Sequence, residues 1–169
     1  KQLKSIATVR SVGASTRIEG SRMTDDEVAR LIENLAIAKL EERDAQEVVG
    51  YYETLDIISE SYRDIDITES NLKMLHNTLM KHSEKDAWHR GNYKQHSNVV
   101  EATQRDGSKQ VVFRTAAPGF ATEEAMRQMI GWYSSDNTTP PIIRVAIFIY
   151  DFLSIHPFQD GNGRLSRLL

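Results

Sequence analysis

The sequence predicts a mainly α-helical fold with one β-hairpin set ahead of a glycine-rich loop. Three observations carry this. Apolar residues recur at three- and four-residue spacing through most of the chain, as one buried face of a helix requires. Capping signals stand where those patterns begin. A single stretch breaks the helical period with two short apolar runs around an Asp-Gly turn.

Taken in order, Thr24-Asp25-Asp26-Glu27 reads as a capping box, with Thr24 as N-cap and Glu27 reaching back. Val28, Leu31, Ile32 and Leu35 follow at helical spacing. Asp44 to Glu47 reads as a similar start and leads into Val48, Val49, Tyr52, Leu55 and Ile57-Ile58, an amphipathic pattern. Thr68 opens a helix with Leu72, Leu75, Leu79 and Met80 on one side, and Thr122-Glu123-Glu124 opens one carrying Met126, Met129, Ile130 and Tyr133. Pro140-Pro141 marks a further start, since proline suits the first helical turn. The stretch from Ile142 to Ile155 is apolar nearly all round, which predicts a central, buried helix delivering the chain to His156. The hairpin is expected from Asn98, Val99, Val100, Glu101, Ala102 and Thr103, through a turn at Asp106-Gly107, to Gln110, Val111, Val112 and Phe113. A lone hairpin is marginal by itself, so it must lean on the helices or serve a purpose.

The chain of 169 residues is about one domain long, enough for a single core without staples. With no cysteine, disulfides and cysteine-ligated zinc are excluded, and a reducing, cytoplasmic setting is expected. A net charge of −3 with scattered Lys and Arg lacks the basic stripe of a nucleic-acid binder. Apolar runs such as Val145 to Tyr150 are far too short to cross a membrane. The chain opens at Lys1 without Met and ends at Leu169 inside an apolar run, and so reads as a piece of a longer protein.

The chemistry concentrates at His156-Pro157-Phe158-Gln159-Asp160-Gly161-Asn162-Gly163-Arg164-Leu165-Ser166-Arg167. Glycines at 161 and 163 let backbone N–H groups converge on one point. A helix beginning near Gly163 would favour an anion at its N-terminus. Arg164 and Arg167 can fork onto phosphate, and Asp160 suits a Mg²⁺ ion that also touches phosphates. His156 can take a proton near neutral pH. Together these are the parts of phosphoryl-type transfer. Each residue alone also has a bland reading, as a structural histidine, ordinary turn pairs or solvated arginines, and Phe158 reads as a core anchor. Asp-Gly-Asn-Gly does not make an EF-hand, because position five would be Arg164. No glycine-rich run followed by Lys-Ser or Lys-Thr is present, so this is not a P-loop.

The segment resembles the signature of the Fic family, His-Pro-Phe-x-Asp-Gly-Asn-Gly-Arg-x-x-Arg, at all nine specified positions. The resemblance implies a Fic-type helical bundle in which the hairpin is a flap that pairs with a target protein's backbone. Flap residues would include Asn98, Val99, Val100, Val111, Val112 and Phe113. Gly91-Asn92-Tyr93-Lys94 is similar to the family's Gly-x-Tyr-Arg, with Lys94 a departure that keeps the charge. The implied activity is transfer of AMP from ATP to a hydroxyl of a target Tyr, Thr or Ser. His156 would be the base and Asp160 the Mg²⁺ ligand. Gly161, Asn162 and Gly163 would form the anion hole, while Arg164 and Arg167 would contact the β- and γ-phosphates. Adenine-pocket residues are expected beyond Leu169.

Ser15-Thr16-Arg17-Ile18-Glu19-Gly20 matches the family's Ser/Thr-x-x-x-Glu-Gly/Asn pattern for a self-inhibitory helix. By resemblance Glu19 would pair with Arg167 in the γ-phosphate's place, and Gly20 would end the helix. Thr16-x-x-Glu19 also reads as a simple capping box. The expected organisation is an inhibitory segment over 1–22 and a Fic domain over 23–169, cut short at its C-terminus. Partners implied are a protein substrate on the flap, the chain itself as a substrate, and a second copy in a homodimer. Rival readings are another phosphate-group transfer or removal of AMP on the same fold, and a non-catalytic interaction module. A histidine–carboxylate metal hydrolase is disfavoured, since His76, His82, His89 and His96 show no close ligand pairing with His156.

Overall fold

A computed structural model describes residues 2–36, 38–104 and 106–169, with the side chains of Gln2, Val100 and Phe113 outside the described ones. The flap expectations at Val100 and Phe113 can therefore be placed by backbone alone.

The first helix, α1 (Gln2–Ile18), is longer than its sequence pattern suggested. Val12 and Thr16 are fully buried, and the Thr16 hydroxyl donates to the Val12 carbonyl at 2.9 Å. Thr16 therefore lies inside the helix, which overturns the capping-box reading of Thr16 and Glu19. Gly20, at φ 103°, turns the chain out of the helix. Helix α2 (Asp25–Glu33) has the full capping box: Thr24 accepts from the Glu27 N–H, and Glu27 accepts from the Thr24 N–H at 2.8 Å.

Helix α3 (Arg43–Ser61) starts just ahead of the expected Asp44 box. Glu47 does not reach back to cap it but is buried against Arg43, and Asp44 accepts from the Arg22 N–H instead. Helix α4 (Glu69–Leu79) is capped by Thr68 as expected. Gly50 is where α3 crosses α4: a Cβ there would stand 2.1 Å from the Leu79 carbonyl oxygen. Only glycine permits that approach.

A 3-10 turn (Glu84–Asp86) leads toward the two-stranded antiparallel hairpin, β1 (Val99–Thr103) and β2 (Lys109–Arg114), with a bulge between Val100 and Glu101. Helix α5 (Phe120–Ser135) begins earlier than expected, after Gly119 at φ 79°. Thr122 is inside it, its hydroxyl donating to Ala117 at 2.7 Å.

Helix α6 (Pro141–Ile155) packs on α5 but is not buried all round. Phe148, Phe152 and Ile155 enter the core, whereas Ile142 and Tyr150 are 82% and 71% exposed. Apolar composition does not reveal whether every face of a helix has a neighbour. The last helix, α7 (Asn162–Ser166), is a short turn behind the glycine-rich loop. The core joins Val12 and Val28, Val48 and Tyr51, Leu72, Leu75 and Leu79, Met126 and Met129, and Phe148 and Phe152. Phe158 and Leu165 extend it beneath the loop, so burial of about 2–3 kcal/mol per large side chain pins the loop down. None of the described helices is long and apolar enough to cross a membrane.

Candidate active site

His156 ends α6 in the left-handed conformation, φ 52° and ψ 60°, and is the one described non-glycine residue at positive φ. That backbone costs of order 1–2 kcal/mol. The His156 N–H closes the helix on Phe152 at 2.9 Å, and the ring Nδ1 lies 3.2 Å from the Leu153 carbonyl. A carbonyl only accepts, so Nδ1 carries the proton and Nε2 keeps its lone pair. Burial pushes the imidazole below its ordinary pKa; the bond to Leu153 offsets this in part, while nearby Lys94 adds to it.

From Phe158 to Asn162 the loop is clamped by one side chain. The Phe158 N–H donates to Asn162 Oδ1 at 2.9 Å, and Asn162 Nδ2 donates back to the Phe158 carbonyl at 2.8 Å. Asn162 is buried, so its amide holds the loop and only its backbone N–H is placed for an anion. Gly161 takes φ 80°, and its N–H donates to Asp160 Oδ1 at 2.6 Å. Of the three expected anion-hole residues, Asn162 and Gly163 thus present first-turn N–H groups without intrahelical partners, while Gly161 serves the carboxylate.

Four charges alternate beside the loop. Arg164 NH1 lies 3.4 Å from Glu47 Oε2, and Arg164 NH2 lies 3.3 Å from Asp160 Oδ1. Arg43 Nε donates to Glu47 Oε1 at 2.6 Å, and its NH2 is 3.9 Å from Asp160 Oδ2. Burial raises the Asp160 carboxyl's pKa, but Arg164, the Gly161 N–H and Arg43 outweigh it and hold the group ionised. Arg164 is 2% exposed, yet its Nε and NH1 find no hydrogen-bond partner. A buried donor without a hydrogen bond is costly, although NH1 still faces the Glu47 carboxylate as an ion pair.

At the far end, Arg167 meets α1. Its Nε donates to Ser15 Oγ at 2.7 Å, its NH2 to the Ser15 carbonyl at 3.1 Å, and the same NH2 to Glu19 Oε1 at 2.7 Å. Glu19 also presses on the loop: a Cβ at Gly163 would stand 2.4 Å from its Oε1. His156, Asp160, Gly161, Asn162, Gly163, Arg164 and Arg167 share this one loop, with Ser15 and Glu19 laid across it.

The hairpin is tied to the same loop. Asn98 precedes β1 and does not present its side chain to a target. Its Nδ2 donates to the Phe158 carbonyl at 3.0 Å, and its Oδ1 accepts from Lys94 and Thr115. Val99 is half-buried, while Val111 and Val112 are 45% and 60% exposed. The sheet has two strands, so each strand has one outer edge that is not paired within the sheet.

Four residues that shape the site were not singled out for it by sequence. His76 stacks on Phe158 with ring centroids 3.8 Å apart. It accepts from the Gly91 N–H at Nδ1 (2.9 Å), so its Nε2 carries the proton donated to the Asp160 carbonyl (3.0 Å). Burial, the largest cause, lowers its pKa to about 4, consistent with a permanently neutral ring. Lys94, Glu47 and Arg43 are the others. Glu47 is a polar residue beside Val48 and Val49, and Lys94 is marked by its place in the Gly91-Asn92-Tyr93-Lys94 segment, whereas Arg43, among Glu41, Glu42 and Asp44, carries no sequence signal.

A metal would find Asp160 as its carboxylate. Among the described residues no three His, Cys, Asp or Glu side chains converge. One ionised, 41% exposed carboxylate fits a Mg²⁺ that arrives with phosphates supplying other ligands, rather than a metal held by protein alone.

Comparison with known proteins gives a consistent result. The model of the Fic/DOC family matches residues 66–169. The protein adenylyltransferase fic-1 of Caenorhabditis briggsae is 41% identical over 59 residues, 34% of this chain and 11% of that protein. The protein adenylyltransferase Fic of Drosophila sechellia is 26% identical over 173 residues, covering 100% of this chain and 32% of its own length. A crystal structure of a Fic family protein from Desulfovibrio desulfuricans G20 superposes with a TM-score of 0.80 at 25% identity, over 99% of this chain and 47% of that one. The chain thus spans about a third or less of these curated relatives.

Proposed function

The chain belongs to the Fic/DOC family, and from that premise we propose that it is a protein adenylyltransferase moving AMP from ATP to a Tyr, Thr or Ser hydroxyl of a target protein. The observation that carries the reading is a base, a carboxylate and two guanidiniums arrayed on one clamped loop, with His156 Nε2 left as a lone-pair acceptor.

In this reading a target strand pairs with an edge of the hairpin and brings its hydroxyl to His156. The hydroxyl oxygen bonds to the α-phosphorus as the bond to the β-phosphate's bridging oxygen breaks. The hydroxyl proton passes to His156 Nε2, and pyrophosphate leaves. Asn162 and Gly163 N–H groups, Arg164 and Arg167 hold the phosphates in place. Asp160 would hold Mg²⁺, whose charge neutralises the phosphate oxygens when bound.

Glu19 restrains the reaction in the same reading. A carboxylate that accepts from Arg167 NH2 and is seated over Gly163 stands where a phosphate would otherwise draw the guanidinium. Because Glu19 can also orient a water near the loop, removal of AMP from a modified protein is the second reading.

The deciding experiment incubates wild type, Glu19→Gly and Glu19→Gly with His156→Ala with labelled ATP, GTP, UTP and CTP in cell lysate. Label from ATP alone in Glu19→Gly, lost on adding His156→Ala, is the expected result. Label retained without His156 would sink the mechanism, and preference for another nucleotide would replace the donor.

A further inference from the structure

We propose that Lys94 is a positioning residue that fixes the hairpin, and with it an incoming target hydroxyl, relative to the His156 base. The inference rests on the AMP-transfer reading above and adds a mechanical link to it.

Lys94 is 2% exposed although it carries an ammonium. That group has three N–H donors, and three acceptors surround it. Asn98 Oδ1 lies at 2.9 Å, Thr115 Oγ1 at 2.8 Å and the Ile155 carbonyl at 2.9 Å. The partners belong to three separate pieces of chain. Asn98 immediately precedes β1, Thr115 immediately follows β2, and Ile155 is the last residue of α6, bonded directly to His156. One cation therefore ties both roots of the hairpin to the helix end that carries the base.

The chain around it reinforces the tie. The Lys94 N–H donates to the Pro157 carbonyl at 2.8 Å, the His96 N–H to Gln159 Oε1 at 3.1 Å, and Asn98 Nδ2 to the Phe158 carbonyl. Segment 94–98 is thus laced along segment 155–159. The carbonyl end of α6 is also a favourable place for a positive charge. Burial lowers the Lys94 pKa to about 8, still above neutrality, so the ammonium form persists there.

The described contacts of Lys94 include none with Asp160, Arg164 or Arg167. Its role is therefore separable from phosphate binding. An apolar side chain of similar length would fill the space but leave the Ile155, Asn98 and Thr115 oxygens without their donor.

The test uses the Glu19→Gly chain as parent and adds Lys94→Met, Lys94→Arg or Thr115→Val. Three quantities are read: amide exchange across 99–103 and 109–114 against that of α3 and α4, the dissociation constant for Mg-ATP, and the rate of AMP transfer into the chain itself. In Lys94→Met we expect exchange in both strands at least about tenfold faster, since one lost charged hydrogen bond alone is on that scale. Transfer should fall by a similar factor while ATP affinity holds within about twofold. Lys94→Arg, which keeps charge and donors, should restore most of both.

Strands that exchange as in the parent, or acceleration spread equally over α3 and α4, would overturn the proposal. So would a loss of transfer matched by the loss of ATP affinity. If Lys94→Met does not fold, Thr115→Val decides, because it removes one anchor on the hairpin side; unchanged strand exchange there refutes the clamp. A parent that never transfers AMP would defeat the activity reading, while the exchange measurement would still judge the clamp.

Discussion

Replacing Glu19 by glycine removes the carboxylate that reaches Arg167 from the turn just after α1. The pair is close, 2.7 Å, but its two side chains are 29% and 36% exposed, so solvent screens it. A buried charge-assisted hydrogen bond contributes about 1.5–3 kcal/mol and an exposed ion pair about 0–1. A contact between those limits is worth about 1–2 kcal/mol, or roughly 5–30-fold in an equilibrium. Glu19 lies beyond the end of α1. Ser15 would still hold Arg167, and Arg17 would still hold Asp25 at 2.7 Å, so α1 should stay docked. The expected outcome is a roughly 5–30-fold rise in the initial rate of AMP incorporation from labelled ATP, with a melting temperature lowered by only about 2–8 °C. Glu19→Gln, which keeps an oxygen but loses the charge, should fall between the two. Wild type and Glu19→Gly labelling at equal rates would refute the restraint, because the pair would then oppose nothing.

Three further outcomes follow from the geometry. The depressed pKa of His156 keeps its base form at neutral pH, so transfer should decline only as pH falls through a value below the ordinary 6.5; an acid limb at or above 6.5 in the pH–rate profile would contradict this. His76 is neutral when folded, with a pKa near 4 against 6.5 unfolded, so it binds more protons unfolded and its contribution is lost as pH drops across that window. Urea unfolding should show about 3 kcal/mol of pH-dependent stability there that His76→Gln removes, and an unaltered slope in the variant would count against it. Gly50→Ala drives a methyl into the Leu79 carbonyl and should lower stability by about 3 kcal/mol at constant m-value; a loss under about 1 kcal/mol would mean that α3 and α4 separate easily.

The parts of the fold legible in sequence were those governed by neighbours along the chain. Thr24 with Glu27, and Thr68, mark helix starts because a cap is satisfied within one turn. The loop from His156 to Arg167 was legible because its chemistry is contiguous. Where partners lie far away, the reading faltered. Glu47 reads locally as half of a capping box, but Arg164, more than a hundred residues on, draws it inward. Thr122 reads as a cap, but Pro118-Gly119 has already turned the chain. Lys94 reads only as a charge-keeping departure in its segment and His76 only as a histidine without a ligand pairing; the partners of both become visible once 155–160 folds onto them. Asn162 was placed in the right loop, yet its side chain proves to be a clamp. The exposed side of α6 could not be anticipated, since hydropathy describes a helix and not its surroundings.

The Glu19–Arg167 contact joins residues 148 positions apart, and that separation has a temporal consequence. Synthesis runs from the N-terminus, so the partners on which α1 packs, α2 and α3, are made long before residue 156. The carboxylate can be in position before the ribosome reaches the arginine it meets. If Glu19 restrains transfer as proposed, a nascent chain need never pass through a stage in which the finished loop stands unguarded.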